Sequence, residues 1–141
     1  MSIHQYHRRA FTLLEIIVVV MIIAVLATLI APKLLSKMGI AKHAAAQAKA
    51  DAIAQQVTMY HLALGLSEIQ NDFDLEVLLL SEEEGGAPDG PFLQKDSDIV
   101  DPWGRPYEIF VPGDVNHDFD IVSWGEDGEP GGDGASEDIT Q

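Results

Sequence analysis

The chain contains no cysteine. No disulfide can close its loops, so a small folded part must be held by its core or by another staple. Basic residues are nearly missing from its larger portion: residues 51–141 carry only Lys95 and Arg105 against 22 acids. Residues 1–50 reverse the balance, with six Lys/Arg and one acid, Glu15. The two portions stand at −20 and +5, which gives the net charge of −15. So acidic a surface repels phosphates, which argues against nucleic acid as a partner. Charge of either sign is missing from residues 16–31, IIVVVMIIAVLATLIA, where only Thr28 is polar. No catalytic constellation is present either: His43, His61 and His117 are scattered singles without a partner at metal or triad spacing, which argues against an enzyme.

Adding residues 11–15 to the uncharged run gives about 21 residues, roughly 31 Å of helix, or one membrane span. About 110 of the 141 residues are left for a long helix and a small head. The stretch RRAFTLLEIIVVV, residues 8–20, places Glu15 inside that span. A carboxylate at membrane depth costs roughly 2.5 kcal/mol or more. Three readings of the N-terminus differ in how they treat this acid. A secretory signal would be cut after the apolar run, but Ala27-Thr28-Leu29 is a poor site and Pro32-Lys33 follows closely. A plain anchor needs no acid. Cleavage before the run, between Ala10 and Phe11, would retain the span and its glutamate. Arg8 and Arg9 favour a cytoplasmic leader, while Lys33 and Lys37 flank the other side.

The segment RRAFTLLEIIVVVMIIAVLATLIAPKL resembles the class III leader and N-terminal segment of type IV pilins and pseudopilins. The resemblance implies that a prepilin peptidase cuts between Ala10 and Phe11 and N-methylates Phe11. It also implies that Glu15 lies opposite the Phe11 amine of a neighbouring subunit. A buried acid costs far less opposite a cation, and such a pair is satisfied at only one axial offset, so Glu15 would set subunit register. Pro32 matches a proline common at that place in the family. Ala10 departs from the usual glycine, and slower processing is the expected consequence.

From Leu34 to Leu64 the pattern is helical. One seam runs through Leu34, Met38, Ala41, Ala45, Ala48 and Ala52, and a second through Ile53, Val57, Tyr60 and Leu64. The alanine seam buries little area but permits close helix approach, and the larger seam suits packing against a head. Pro32 is expected to kink the helix or mark the membrane exit, Gly39 is a weak point, and Gly65 is a C-terminal cap. DFDLEVLLL, residues 72–80, suggests a short helix or turn, and SEEEGGAPDGP, residues 81–91, an exposed loop.

Tyr107–Val111 and Phe119–Trp124 are strand-like runs around a turn, which suggests a hairpin. Within that turn Asp114, Asn116 and Asp118 have the spacing that opens an EF-hand loop. Phe119 stands where that loop needs glycine and Gly125 where it needs glutamate, so the segment reads as a polar turn. DPWGRPY at residues 101–107, followed by FDIVSWGEDGEPGGDGASEDIT at residues 119–140, is similar to the major pseudopilins of type II secretion systems. In that family the C-terminal loop binds calcium. Carried over by position, the resemblance implies Asp127 and Asp138 as ligands, then Glu137, the backbone carbonyls of Ser123 and Trp124, and Asp133. Hard carboxylate and carbonyl oxygens turned inward at glycines are what Ca2+ requires.

The fold expected is α+β, with a long N-terminal helix (membrane span plus amphipathic half) packed on a small head that has a short antiparallel sheet and a calcium-binding C-terminal loop. The expected divisions are a cleaved leader at 1–10, a transmembrane and polymerisation helix at 11–32, an amphipathic helix at 33–64 and an acidic periplasmic head at 65–141. The function implied is that of a major pseudopilin-like subunit. It would sit in the inner membrane as a single-pass protein, then polymerise into a periplasmic filament that drives protein export. Its implied partners are copies of itself, minor pseudopilins, the prepilin peptidase and the inner-membrane secretion platform. The alternatives are a type IV pilin of adhesion or DNA uptake, and a monomeric membrane-tethered calcium-binding module.

Overall fold

A computed structural model describes residues 11–141. The leader, with Ala10, Arg8 and Arg9, lies outside the described residues. The chain divides into two compact units, Met1–Ser36 and Lys37–Gln141.

One helix, α1 (Leu13–Ala63), provides 51 residues of the chain. Thr12 caps its start: the Glu15 amide donates to Thr12 Oγ1 at 3.1 Å and the Ile16 amide to the Thr12 carbonyl at 3.3 Å. Within the first unit, every residue from 11 to 32 is exposed. The segment is long and apolar enough to cross a membrane. The helix assignment runs through both Pro32 and Gly39. Neither residue ends the helix. Proline removes one N–H, leaving the Thr28 carbonyl without its donor, and an apolar span tolerates this where local adjustments satisfy the freed group.

In the second unit, α1 ends where expected. Gly65 takes φ +68°, its amide donates to the Leu62 carbonyl at 3.0 Å, and the Leu66 amide reaches the His61 carbonyl at 2.9 Å. This is a Schellman closure, which requires the left-handed conformation glycine adopts most cheaply. Three short 3-10 helices follow, Leu75–Leu79, Glu82–Glu84 and Asp96–Ile99.

A three-stranded antiparallel sheet then forms from β1 (Glu108–Phe110), β2 (Asp120–Ser123) and β3 (Ile139–Thr140), in the order β1-β2-β3. The hairpin read from the sequence is present, with Ile109 opposite Ile121 and Phe110 opposite Asp120. The third strand was not anticipated: it pairs Ile139 with Ser123 and Thr140 with Val122.

The core joins Ala46, Ala50, Ile53 and Val57 of α1 to Leu75, Leu78, Ile99, Tyr107, Ile121 and Ile139. Three polar bonds fix the same contact. The Tyr107 hydroxyl donates to the Ala46 carbonyl at 2.9 Å. Lys49 Nζ donates to the carbonyls of Ser97 and Val100 at 2.7 and 2.8 Å. Burial, with the negative Asp101 nearby, pushes the Tyr107 phenol well above its ordinary value.

Candidate functional site

Two sets of residues bear on function, one at the start of α1 and one in the C-terminal loop. At the start of α1, Phe11 is 76% exposed and Glu15 is exposed on an otherwise apolar segment. Among the described residues no hydrogen bond ends on the Glu15 carboxylate, although its amide is capped by Thr12. Thr12-Leu13-Leu14-Glu15 is also a T-x-x-E pattern, and an acid in the first turn favours the helix dipole. That local role was missed by sequence reasoning, which weighed the glutamate only against the membrane.

The loop after β2 runs from Trp124 to Asp138 and is shaped by glycines. Positions 125, 128, 131, 132 and 134 all take positive φ. The Gly128 amide closes a turn on the Trp124 carbonyl at 3.0 Å, and the Glu126 amide ties that turn to the Ala135 carbonyl at 2.9 Å. Asp127 Oδ1 accepts from the Glu129 amide at 3.2 Å and the side chain is exposed. Asp138 Oδ2 accepts from the Gly131 amide at 2.7 Å. Its other oxygen, Oδ1, is buried without a partner. Glu137 and Asp133 are exposed, and the Asp133 carbonyl accepts from Ser136 at 3.3 Å. Ser123 lies in the β2 ladder opposite Ile139, and its hydroxyl points away to Asp101 Oδ2 at 2.9 Å.

The carboxylates do not gather into a cage: among the described residues no three acids or histidines stand close enough to share a metal. Oxygen atoms converge by another route. A Cβ added at Gly125 would fall 2.6 Å from the Ser136 carbonyl oxygen and 2.9 Å from that of Glu137, and one at Gly132 would collide with the Ser136 carbonyl oxygen. A buried carboxylate oxygen without a partner, in a loop whose backbone carbonyls crowd its glycines, supplies the donor types a hard cation takes, since an unpaired buried acceptor is costly and Ca2+ takes both carboxylates and carbonyls. The residues present fit that group.

The DPWGRPY segment braces this loop, which sequence reasoning did not foresee. Asp101 is buried and accepts from the amides of Trp103 and Arg105, both at 2.9 Å, as well as from Ser123. Arg105 Nε lies 3.9 Å from Asp101 Oδ2, and Arg105 Nη2 donates to the Gly125 carbonyl. The polar turn at 113–118 is organised by Asp120 rather than by its own acids. Asp120 accepts from the amides of Asp114, Val115 and Asn116 at 2.7, 2.8 and 2.8 Å, and from Asn116 Nδ2 at 2.9 Å. A run of three consecutive amides pointing at one acid is a tertiary feature with no sequence spacing of its own.

A long apolar N-terminal helix with a capped acid in its first turn, continuing into a small α+β head, defines a pilin-like subunit. Two family patterns match the chain: the prokaryotic N-terminal methylation motif over residues 6–31, and type II secretion system protein G over residues 33–141. The chain is 37% identical over 133 residues to the type II secretion system core protein G of Pseudomonas aeruginosa, covering 92% of this chain and 91% of that one. It is 35% identical over 137 residues to the protein of that name from Escherichia coli strain K12, covering 94% and 90%. The Vibrio cholerae protein of that name is 33% identical over 132 residues, covering 92% and 88%. The chain belongs to the type II secretion system protein G family, the major pseudopilins.

Proposed function

We propose that this chain is inserted as a single-pass inner-membrane precursor with its head in the periplasm. A prepilin peptidase cuts it before Phe11 and methylates that residue, and copies then polymerise into a filament that drives protein export. Minor pseudopilins and the inner-membrane secretion platform are the further partners of this assembly. The observation that carries the reading is Glu15, an exposed carboxylate on an apolar helix that nothing in its own described chain satisfies. The methylated amine of Phe11 on an adjacent copy supplies the missing counter-charge and fixes the axial offset. The first alanine seam supports close packing of copies, because Leu34, Met38, Ala41, Ala45, Ala48 and Ala52 are all exposed.

The head's C-terminal loop is the proposed calcium site, held by Asp127 and Asp138 with Glu137, Asp133 and the carbonyls of Ser123 and Trp124 as the remaining candidates. Bound calcium would neutralise mutual repulsion among these acids and tie the loop ends together, as a disulfide does in other small exported heads. Asp138 Oδ1, buried and unpaired, supports this assignment. The carbonyls of Ser136 and Glu137 belong with the candidate donors on the same grounds.

Substitution of Glu15 tests the polymer. Glu15→Ala should still insert in the membrane, since its span becomes more apolar. Filament yield should fall by at least tenfold, because the partner amine is buried without a counter-charge. Filaments at the wild-type level from this variant would remove the register role.

A further inference from the structure

Arg105 is one of only two basic residues after position 50, and its guanidinium sits on the loop that carries the candidate calcium ligands. Three contacts fix it there. Nε is buried without a hydrogen-bond partner and stands 3.9 Å from Asp101 Oδ2, a long ion-pair contact with a carboxylate whose side chain is only 1% exposed. Nη2 donates to the Gly125 carbonyl. The flat of the guanidinium covers Gly128, where an added Cβ would meet Nη1 at 2.7 Å and Cζ at 2.9 Å. Gly125 and Gly128 bracket Asp127, and the Gly128 amide closes the turn on the Trp124 carbonyl.

We propose that Arg105, anchored by Asp101, is a positioning residue that holds the Trp124–Gly128 turn in its ligand-presenting shape before any cation binds. This inference rests on the calcium reading of the loop. The physical need is plain: five positive-φ glycines and a cluster of acids make the loop expensive to order and self-repelling. Arg105 supplies positive charge against the loop and a planar fork that grips one carbonyl while packing on an adjacent glycine. Asp101 is itself immobilised by Trp103, Arg105 and Ser123, so the clamp is referred to the sheet. Preorganisation of this kind lowers the ordering cost at the moment of binding. Gly128 is then doubly required, for its φ of +74° and for the space the guanidinium occupies.

The test uses the full chain in detergent micelles, with calcium chloride as the probe. Calcium titration by calorimetry and amide hydrogen exchange in chelator are measured for wild type, Arg105→Gln and Arg105→Lys. Loss of a charged hydrogen bond predicts that Arg105→Gln weakens calcium binding about tenfold or more. Without metal, the Glu126 and Gly128 amides should exchange at least tenfold faster, while the Ile121 amide, bonded to the Gln141 carbonyl, stays protected and reports an intact head. Arg105→Lys should fall between, keeping charge without the fork. Unchanged exchange at 126 and 128 in Arg105→Gln would overturn the proposal. If wild type itself binds no calcium, the calcium reading fails, and metal-free exchange alone still decides the role of Arg105. If Arg105→Gln loses protection at Ile121 as well, Arg105→Lys decides: faster exchange at 126 and 128 with Ile121 protected supports the proposal, and exchange at or below the wild-type rate overturns it.

Discussion

Asp120 carries more of the head than its place in a short strand suggests. It is 2% exposed and accepts four hydrogen bonds that wrap the 113–118 turn around it. Burial pushes its carboxyl up, but the bonds from Val115, Asn116 and Asp114 outweigh this, and the net shift is downward. A folded pKa below the unfolded value gives stability that is present above about pH 4 and lost as pH falls through the folded value. Asp120→Ala strands three backbone amides and should lower unfolding free energy by about 2–3 kcal/mol at pH 7. Chemical denaturation across pH 3–7 checks this: the loss should shrink toward the acid end, and a pH-independent difference would show that the charge is not what matters. None of this was legible from residue types, because the spacing of Asp114, Asn116 and Asp118 drew attention to the wrong acids. Glu15, by contrast, could be singled out as the one acid of an uncharged run, and Phe11 through the resemblance of the segment to pilin leaders.

At the scale of elements, legibility followed the contrast between neighbouring residues. The seam through Ile53 and Val57 was readable because large aliphatics stand among polar neighbours, and both are buried in the core. Its continuation toward the N-terminus was not. The buried alanines are Ala46 and Ala50, whereas Ala45, Ala48 and Ala52 are exposed. In AKHAAAQAKADAIA, alanine occupies almost every face, so hydrophobic periodicity cannot tell which one meets the head. The strand Ile139–Thr140 was invisible because two residues carry no alternation. Residues 81–91 hold the exposed turn Glu82–Glu84, as breaker residues implied, yet Ala87 inside them is fully buried. The C-terminal loop makes the prediction proper to this scale. The proposed calcium, binding only the folded head, would stabilise it by about 2.7 kcal/mol at a hundred times Kd. The detergent-solubilised chain should therefore unfold at higher temperature in calcium than in chelator. Asp127→Ala or Asp138→Ala should abolish most of that difference and Asp114→Ala none of it; equal melting of wild type in the two conditions would leave the loop without a metal role.

For the whole molecule, the opposed charges and the missing cysteines have one consistent explanation. In the proposed assembly, neighbouring copies would supply the counter-charge that the single acid of the span lacks, and a divalent cation would offset the repulsion within an acidic head that has no disulfide. The methylation motif at residues 6–31 and the protein G pattern at residues 33–141 together span the helix and the head in which these two proposals lie. The central claim is that Glu15 lies against Phe11 of the next copy, and the absence of native cysteine makes it directly measurable, since any disulfide must come from introduced residues. Cysteines placed at Leu13 and Ile17 in one chain flank the proposed contact. Oxidation in membranes that express the secretion system should give a ladder of crosslinked multimers, and Glu15→Ala in the same background should collapse it to monomer. Monomer alone from the chain that retains Glu15, correctly inserted and processed, would contradict the account.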